Sequence, residues 1–197
     1  IRWTAPDQDY FRRAFDDLSG LLAKGTLKKG VPLTATVGAL DDPEATLRHA
    51  LARVASLHAN VTAYGLCDGR EALIGATPEL LFQCRPGELR TMALAGTRPN
   101  SAENRAALRT STKDQHEHGL VLAFIIAGLE RFGTVQVQDT RVEDYGQLCH
   151  LMTPVLVHLN GPPVFDELVR SLHPTPALGV FPHNAEGRQW LATLNSR

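Results

Sequence analysis

VTAYGLCDGREALIGATPELLFQCRPGELRTMAL, residues 61–94, decides how the chain is read. Four short apolar or alternating runs lie within it, at 61–67, 72–76, 80–84 and 89–94, and CDGR, ATPE and RPGE separate them. Such runs, broken at short intervals by Gly, Pro and Asp, mark antiparallel hairpins, because those residues take turn conformations at low cost. The stretch predicts a four-stranded antiparallel meander.

On either side the period changes to that of a helix. Tyr10, Phe11, Ala14, Phe15, Leu18, Leu21 and Leu22 predict an amphipathic helix from about residue 7 to 23, ended by Gly25. Asp42 as cap and Pro43 in the first turn start a second helix, with Leu47, Ala50, Leu51, Val54 and Leu57 as its buried stripe. Downstream, Asn100 with Glu103 and Thr112 with Gln115 have the spacing of reciprocal caps. The later of these two helices is predicted over 113–132, with Leu120, Val121, Phe124, Ile125 and Leu129 inward and Gly133 as its stop. Residues 134–139 and 150–159 are predicted strands, Pro154 placing the second at an edge or a bulge. Residues 164–172 and 185–194 are predicted closing helices. Helices flanking antiparallel strands give the α+β class, and without repeats or linkers residues 1–197 read as one domain.

Composition narrows the function. Twenty Lys and Arg against 21 Asp and Glu leave a formal charge of −1, which offers nothing to a nucleic acid, and 43% hydrophobic residues exclude a disordered chain. No run reaches the ~18 apolar residues of a membrane span. Asp7, Asp9, Arg12 and Arg13 occupy the place of a signal peptide's apolar core, and Cys67, Cys84 and Cys149 are an odd, scattered set without CxxC spacing. The expectation is a cytoplasmic protein, a monomer by default, with a small-molecule partner and neither nucleic acid nor membrane.

Four segments exceed what packing asks for. In GATPELL, residues 75–81, Thr77 and Pro78 suit the start of a short helical turn, and Glu79 either complements its dipole or does chemistry. ALAGTRPN, 93–100, is either a plain exit turn or a strand end whose N–H groups and hydroxyl hold a carboxylate. In KDQHEHG, 113–119, His116 and His118 lie about 200° apart on a helix and cannot share one zinc. Lys113 with Glu117 and Asp114 with His118 are i,i+4 pairs of a solvated face, while Glu117 could also serve as one oxygen ligand to Mg²⁺. CHLMTPV, 149–155, and LHPTPALGVFP, 172–182, place His150 on a strand and a rigid Pro-rich loop after a helix, serviceable for a pocket wall or a connector.

In this order GATPELL, LAGTRPN, KDQHEHGLV, HLMTPV and LHPTPALGVFP resemble the signature series of the chorismate-utilising enzymes, and within them most the isochorismate synthases. Ala95 stands where the aminodeoxychorismate branch has a nucleophilic Lys, and Lys28 and Lys29 stand near where the anthranilate branch has a Gln. The resemblance implies antiparallel sheets packed against outer helices, and a Mg²⁺-dependent isomerisation of chorismate to isochorismate. Water attacks ring carbon C2 and the C4 hydroxyl leaves. Lys29 would be the base, Glu79 the acid and Glu117 the Mg²⁺ ligand. Gly96 and Thr97 would contact substrate, His150 would orient a hydroxyl, and Thr175 and Ala177 would shape the wall. Lys28 and Lys29 point to opposite faces of a strand, so one alone faces the site. Salicylate synthase, which adds pyruvate elimination, and an inactive truncated paralogue are the alternatives. Isochorismate feeds both menaquinone and siderophore synthesis.

Three departures from the family pattern carry expectations of their own. Gly30 and Pro32 interrupt the strand after Lys29, and Val180 replaces a common Gly where positive φ or close approach would be blocked. The chain ends at Arg197, where family members continue into a segment with a second acidic Mg²⁺ ligand, a basic carboxylate clamp and more strands. A C-terminally incomplete domain is expected.

Overall fold

The computed structural model describes residues 1–57, 60–69 and 71–194. Along the chain run β1 (Arg2–Trp3), α1 (Gln8–Ala23), β2 (Lys29–Gly30), β3 (Gly38–Ala39), α2 (Pro43–Ala55), β4 (Thr62–Cys67), β5 (Ala72–Thr77), β6 (Gln83–Arg85) and β7 (Glu88–Pro99). Then follow α3 (Ala102–Thr110), α4 (Thr112–Leu129), β8 (Gly133–Val137), β9 (Arg141–Tyr145), β10 (Leu148–Leu159), α5 (Phe165–Leu172), β11 (Val180–Phe181) and α6 (Ala185–Leu194). Among the described residues no helix is long and apolar enough to cross a membrane.

The spine is the antiparallel pair β7–β10, in register from Leu148 opposite Pro99 to His158 opposite Glu88. β6 extends the β7 edge, and β8 and β9 share the β10 edge end to end. The predicted four-stranded meander is thus corrected. β4 and β5 form a separate two-stranded sheet, while β6 and β7 belong to the main one. Leu80 and Leu81, read as the start of a strand, lie in the irregular connection between them.

Pro154 sits in a central strand, which overturns the expected edge position. Its place explains how. β9 pairs as far as Met152 and β8 begins at Val155, so Pro154 falls at the junction of the two neighbours. Its carbonyl accepts the Gln138 N–H at 3.1 Å on that side, and the missing donor points the same way. The ladder is bulged elsewhere, at Gly96: Thr97 opposes His150 and Ala95 opposes Leu151, leaving Gly96 as the extra residue with φ +74°. A side chain there would be strained by the backbone itself.

One face of this sheet carries the core. Leu89, Ala93 and Ala95 of β7 and Val155 and Val157 of β10 meet Val121, Ile125 and Leu129 of α4 and Leu168 and Leu172 of α5. A Cβ on Gly128 would lie 2.7 Å from the Ser171 carbonyl oxygen, so the glycine lets α4 and α5 approach. Leu18, Leu27, Val180 and Trp190 form a second cluster that fastens α1 and α6 beside β2 and β11. Val180 is fully buried there, and no described residue other than glycine has positive φ, so the expected obstruction at Val180 does not arise.

Several helix ends follow from the sequence. The Asp42 carboxylate accepts the Ala45 N–H as predicted, and the Asp7 carboxylate, which was not read as a cap, accepts the Tyr10 N–H. The caps of α3 and α4 are Ser101 and Ser111, one residue later and one earlier than predicted. The predicted buried stripe of α2 is also corrected: none of its residues is buried, and Leu51 is 50% exposed.

Candidate active site

Lys29 lies on β2, which pairs for two residues with β11 and stops before Pro32. The Lys28 side of the strand is exposed, whereas the Lys29 side chain is only 11% exposed. Its Nζ stands 2.8 Å from Glu117 Oε1 of α4 and makes no aligned hydrogen bond, so the contact is ionic. Glu117 therefore reaches across to β2 and pairs there, whereas an intrahelical pair with Lys113 was expected. Both residues line an open cleft of about 340 Å³ together with Lys28, Lys113 and His116, although Lys29 Nζ itself is buried.

Glu79 lies in a different cavity, of about 180 Å³, with Thr77, Ile125, His173, Thr175 and Leu178 among its walls. No helix starts at Thr77. Its hydroxyl instead accepts the Glu79 N–H at 3.1 Å in a tight side-chain turn, and with no helix the dipole reading of Glu79 falls away. Burial raises the Glu79 carboxyl above its ordinary range of about 4.5, against the pull of His173 and Lys29. Lys29 is thus near enough for its charge to act on Glu79 while its ion pair is with Glu117.

The remaining predicted residues sort into two groups. Thr97 Oγ1 and His150 Nδ1 are 2.9 Å apart across β7 and β10, beside the Gly96 bulge, and Tyr145 packs edge-on against the His150 ring. Burial lowers the His150 pKa. The AGT segment is therefore a bulge inside a twelve-residue strand, where a strand end or exit turn was expected. Thr175 lines the Glu79 cavity and its hydroxyl accepts the Ala177 N–H at 3.3 Å, while Ala177 packs onto the core. Neither cavity is lined by Gly96, Thr97, His150 or Ala177.

Sequence reading did not single out His173, although HPTP contains it, nor the anchor between Arg98 and Asp114. Both Nε and Nη2 of Arg98 donate to Asp114 Oδ2, at 3.1 and 2.8 Å. Asp114 and His118 were expected on a solvated face and are instead buried toward the sheet. The acidic and imidazole groups mimic a surface pattern, and only partners remote in sequence show otherwise. Among the described residues no three His, Cys, Asp or Glu side chains converge on a metal position.

Residues 2–194 match the family described as chorismate binding enzyme. The chain belongs to that family. As a member it is 38% identical over 136 residues to the salicylate biosynthesis isochorismate synthase of Pseudomonas aeruginosa, covering 65% of this chain and 29% of that one. It is 29% identical over 192 residues to the vibriobactin-specific isochorismate synthase of Vibrio cholerae, covering 92% and 48%. The fold is shared with a putative 2,3-dihydroxybenzoate-specific isochorismate synthase, DhbC, from Bacillus anthracis, at TM-score 0.81 and 25% identity over 100% of this chain and 57% of that one. MenF, the menaquinone-specific isochorismate synthase from Escherichia coli, gives 0.76 and 26% over 98% and 46%. The chain spans about half the length, or less, of these relatives.

Proposed function

We propose that this chain carries the acid and base of an isochorismate synthase, with chorismate as substrate. The observation that supports it is the pair of unlike environments: a carboxyl raised by burial at Glu79, and a cationic cleft at Lys29 whose charge reaches it. Opposed protonation states are what addition of water at one ring carbon and loss of hydroxide at another require.

In this reading Lys29, once it has released its own proton to solvent, takes a proton from water as the water oxygen bonds to C2. The ring double bonds shift, the C4–O bond breaks, and Glu79 gives its proton to the departing hydroxide. One water enters and one leaves, so the ring is isomerised. Afterwards Lys29 holds a proton and Glu79 lacks one, and exchange with solvent restores both. Lys28 and Lys113, also on the cleft, favour entry of a dianion. The Thr97–His150 pair would hold a ring hydroxyl and Thr175 a wall of the pocket.

Among the described residues lining this cleft Glu117 is the carboxylate that would hold Mg²⁺, an ion that takes few carboxylates and completes its shell with water and substrate. When bound it would neutralise the substrate's ring carboxylate. Glu117 would exchange its Lys29 contact for that ligand role.

The test is product analysis with chorismate and Mg²⁺. Isochorismate without pyruvate is expected, and Lys29→Ala should abolish it while leaving the fold intact. Release of pyruvate with salicylate would replace the reading by the salicylate-forming one. Absence of turnover at high enzyme concentration would replace it by a non-catalytic role.

A further inference from the structure

Among the described residues the buried polar side chains are Thr91, Asp114, His118 and Thr153. Each of them ties a segment bearing a proposed site residue to the β7–β10 pair. Thr91 of β7 donates to the Leu81 carbonyl at 2.7 Å, just after Glu79. Asp114 holds the start of α4 to Arg98 of β7. One turn further on, His118 Nε2 lies 2.6 Å from Thr153 Oγ1 of β10, and that hydroxyl lies 2.7 Å from Thr140 Oγ1 between β8 and β9. The other His118 nitrogen, beside the Ala95 carbonyl, makes no aligned hydrogen bond. The polar commitment of the ring is therefore to Thr153. The reaction sketched above uses none of His118, Thr153 and Thr140.

Apolar packing alone would seat α4 on the sheet, because Val121, Ile125 and Leu129 are buried whatever the first turns do. Packing tolerates small rotations, whereas hydrogen bonds are directional. Glu117 precedes His118 by one residue, about 100° around the helix. A rotation of only about 20° carries a group about 5–6 Å off the axis through about 2 Å. That displacement is comparable to the 2.8 Å contact between Glu117 and Lys29, so the contact demands a fixed helix phase.

We propose that the buried chain His118–Thr153–Thr140 is a positioning device, which sets the rotation of α4 and so stands Glu117 against Lys29. Its bearing on catalysis rests on the function proposed above. The ion pair lies within the chain itself, so the inference is tested without turnover and can fail independently of that function.

The experiment is a double-mutant cycle, Lys29→Met with Glu117→Gln, measured by urea unfolding of the ligand-free chain in several backgrounds. In the wild-type background the two residues should couple by about twofold to fivefold in the unfolding equilibrium constant. In Thr153→Val, which keeps the shape and drops the hydroxyl, the coupling should fall to within error of one. Thr153→Ser should restore it. Full coupling in Thr153→Val would overturn the proposal, since a merely structural hydroxyl lowers stability without moving the coupling. If Thr153→Val does not fold, Thr140→Val decides, because Thr140 is exposed. Coupling at least halved there supports the chain as a unit, and undiminished coupling overturns it.

Discussion

Glu79 and Asp114 are both withdrawn from solvent, yet their carboxyls are shifted in opposite directions. At Glu79 burial dominates and raises the pKa, since His173 and Lys29 act through space without a hydrogen bond to it. Asp114 is only 7% exposed, and burial there also pushes upward. The Arg98 hydrogen bonds, the Ser111 contact and the charges of Arg98 and Lys113 outweigh it and hold the group below 3.8. Burial alone does not decide what a carboxyl does. A bonded guanidinium makes one a structural anchor with a lowered pKa, and burial without such a partner raises the other.

The contrast is broken most severely at Glu79. Glu79→Gln is expected to lower chorismate turnover by about 10²–10⁴-fold, measured beside a circular dichroism spectrum matching wild type; retained turnover would remove Glu79 from the reaction. Asp114→Asn should act on stability instead, costing about 1.5–3 kcal/mol in urea unfolding as the charge-assisted bonds are lost.

The pH dependence of the two variants sharpens the comparison, because the signs differ. A raised native pKa means that Glu79 supports folding below its unfolded value of about 4.5 and that this support is lost as pH rises through the native value. Near neutral pH Glu79→Gln should therefore be at least as stable as wild type, with any advantage vanishing below pH 4.5. Asp114 contributes above 3.8 and loses its contribution as pH falls through its lower native value, so the Asp114→Asn deficit should shrink in acid. Smallest of all, Leu51→Ala on the exposed face of α2 should shift stability by less than about 0.5 kcal/mol. A larger loss would show that this face is covered in solution.

Most helices were readable from residues alone, because caps and periodicity are local: the apolar spacing of α1, Asp42 and the apolar positions of α4 suffice to find three of them. The main sheet was less readable. β9, with the sequence RVEDY, lacks apolar alternation, and although Gly146 at φ +79° marks the turn that follows it, the strand exists because β10 offers it an edge. The 61–94 stretch announced hairpins correctly but not that they part into two sheets, since that division depends on which strand β10 selects. Among the proposed site residues, Lys29, Glu79 and Glu117 were named from motifs. Their partners were not, because a lysine and a glutamate 88 positions apart in number share no local pattern.

Residue types and their spacing were enough for the α+β class, the existence of capped helices and the ionisable groups available for chemistry, and the ordered motifs carried a resemblance to the family, because each of these leaves a mark within a few neighbours or one motif. Which carboxyl is raised and which is pinned, which lysine is covered, and which way α4 is turned were settled by contacts between β2, α4, β7 and β10. Protonation and orientation answer to surroundings assembled from distant parts of the chain, and no window of sequence contains them.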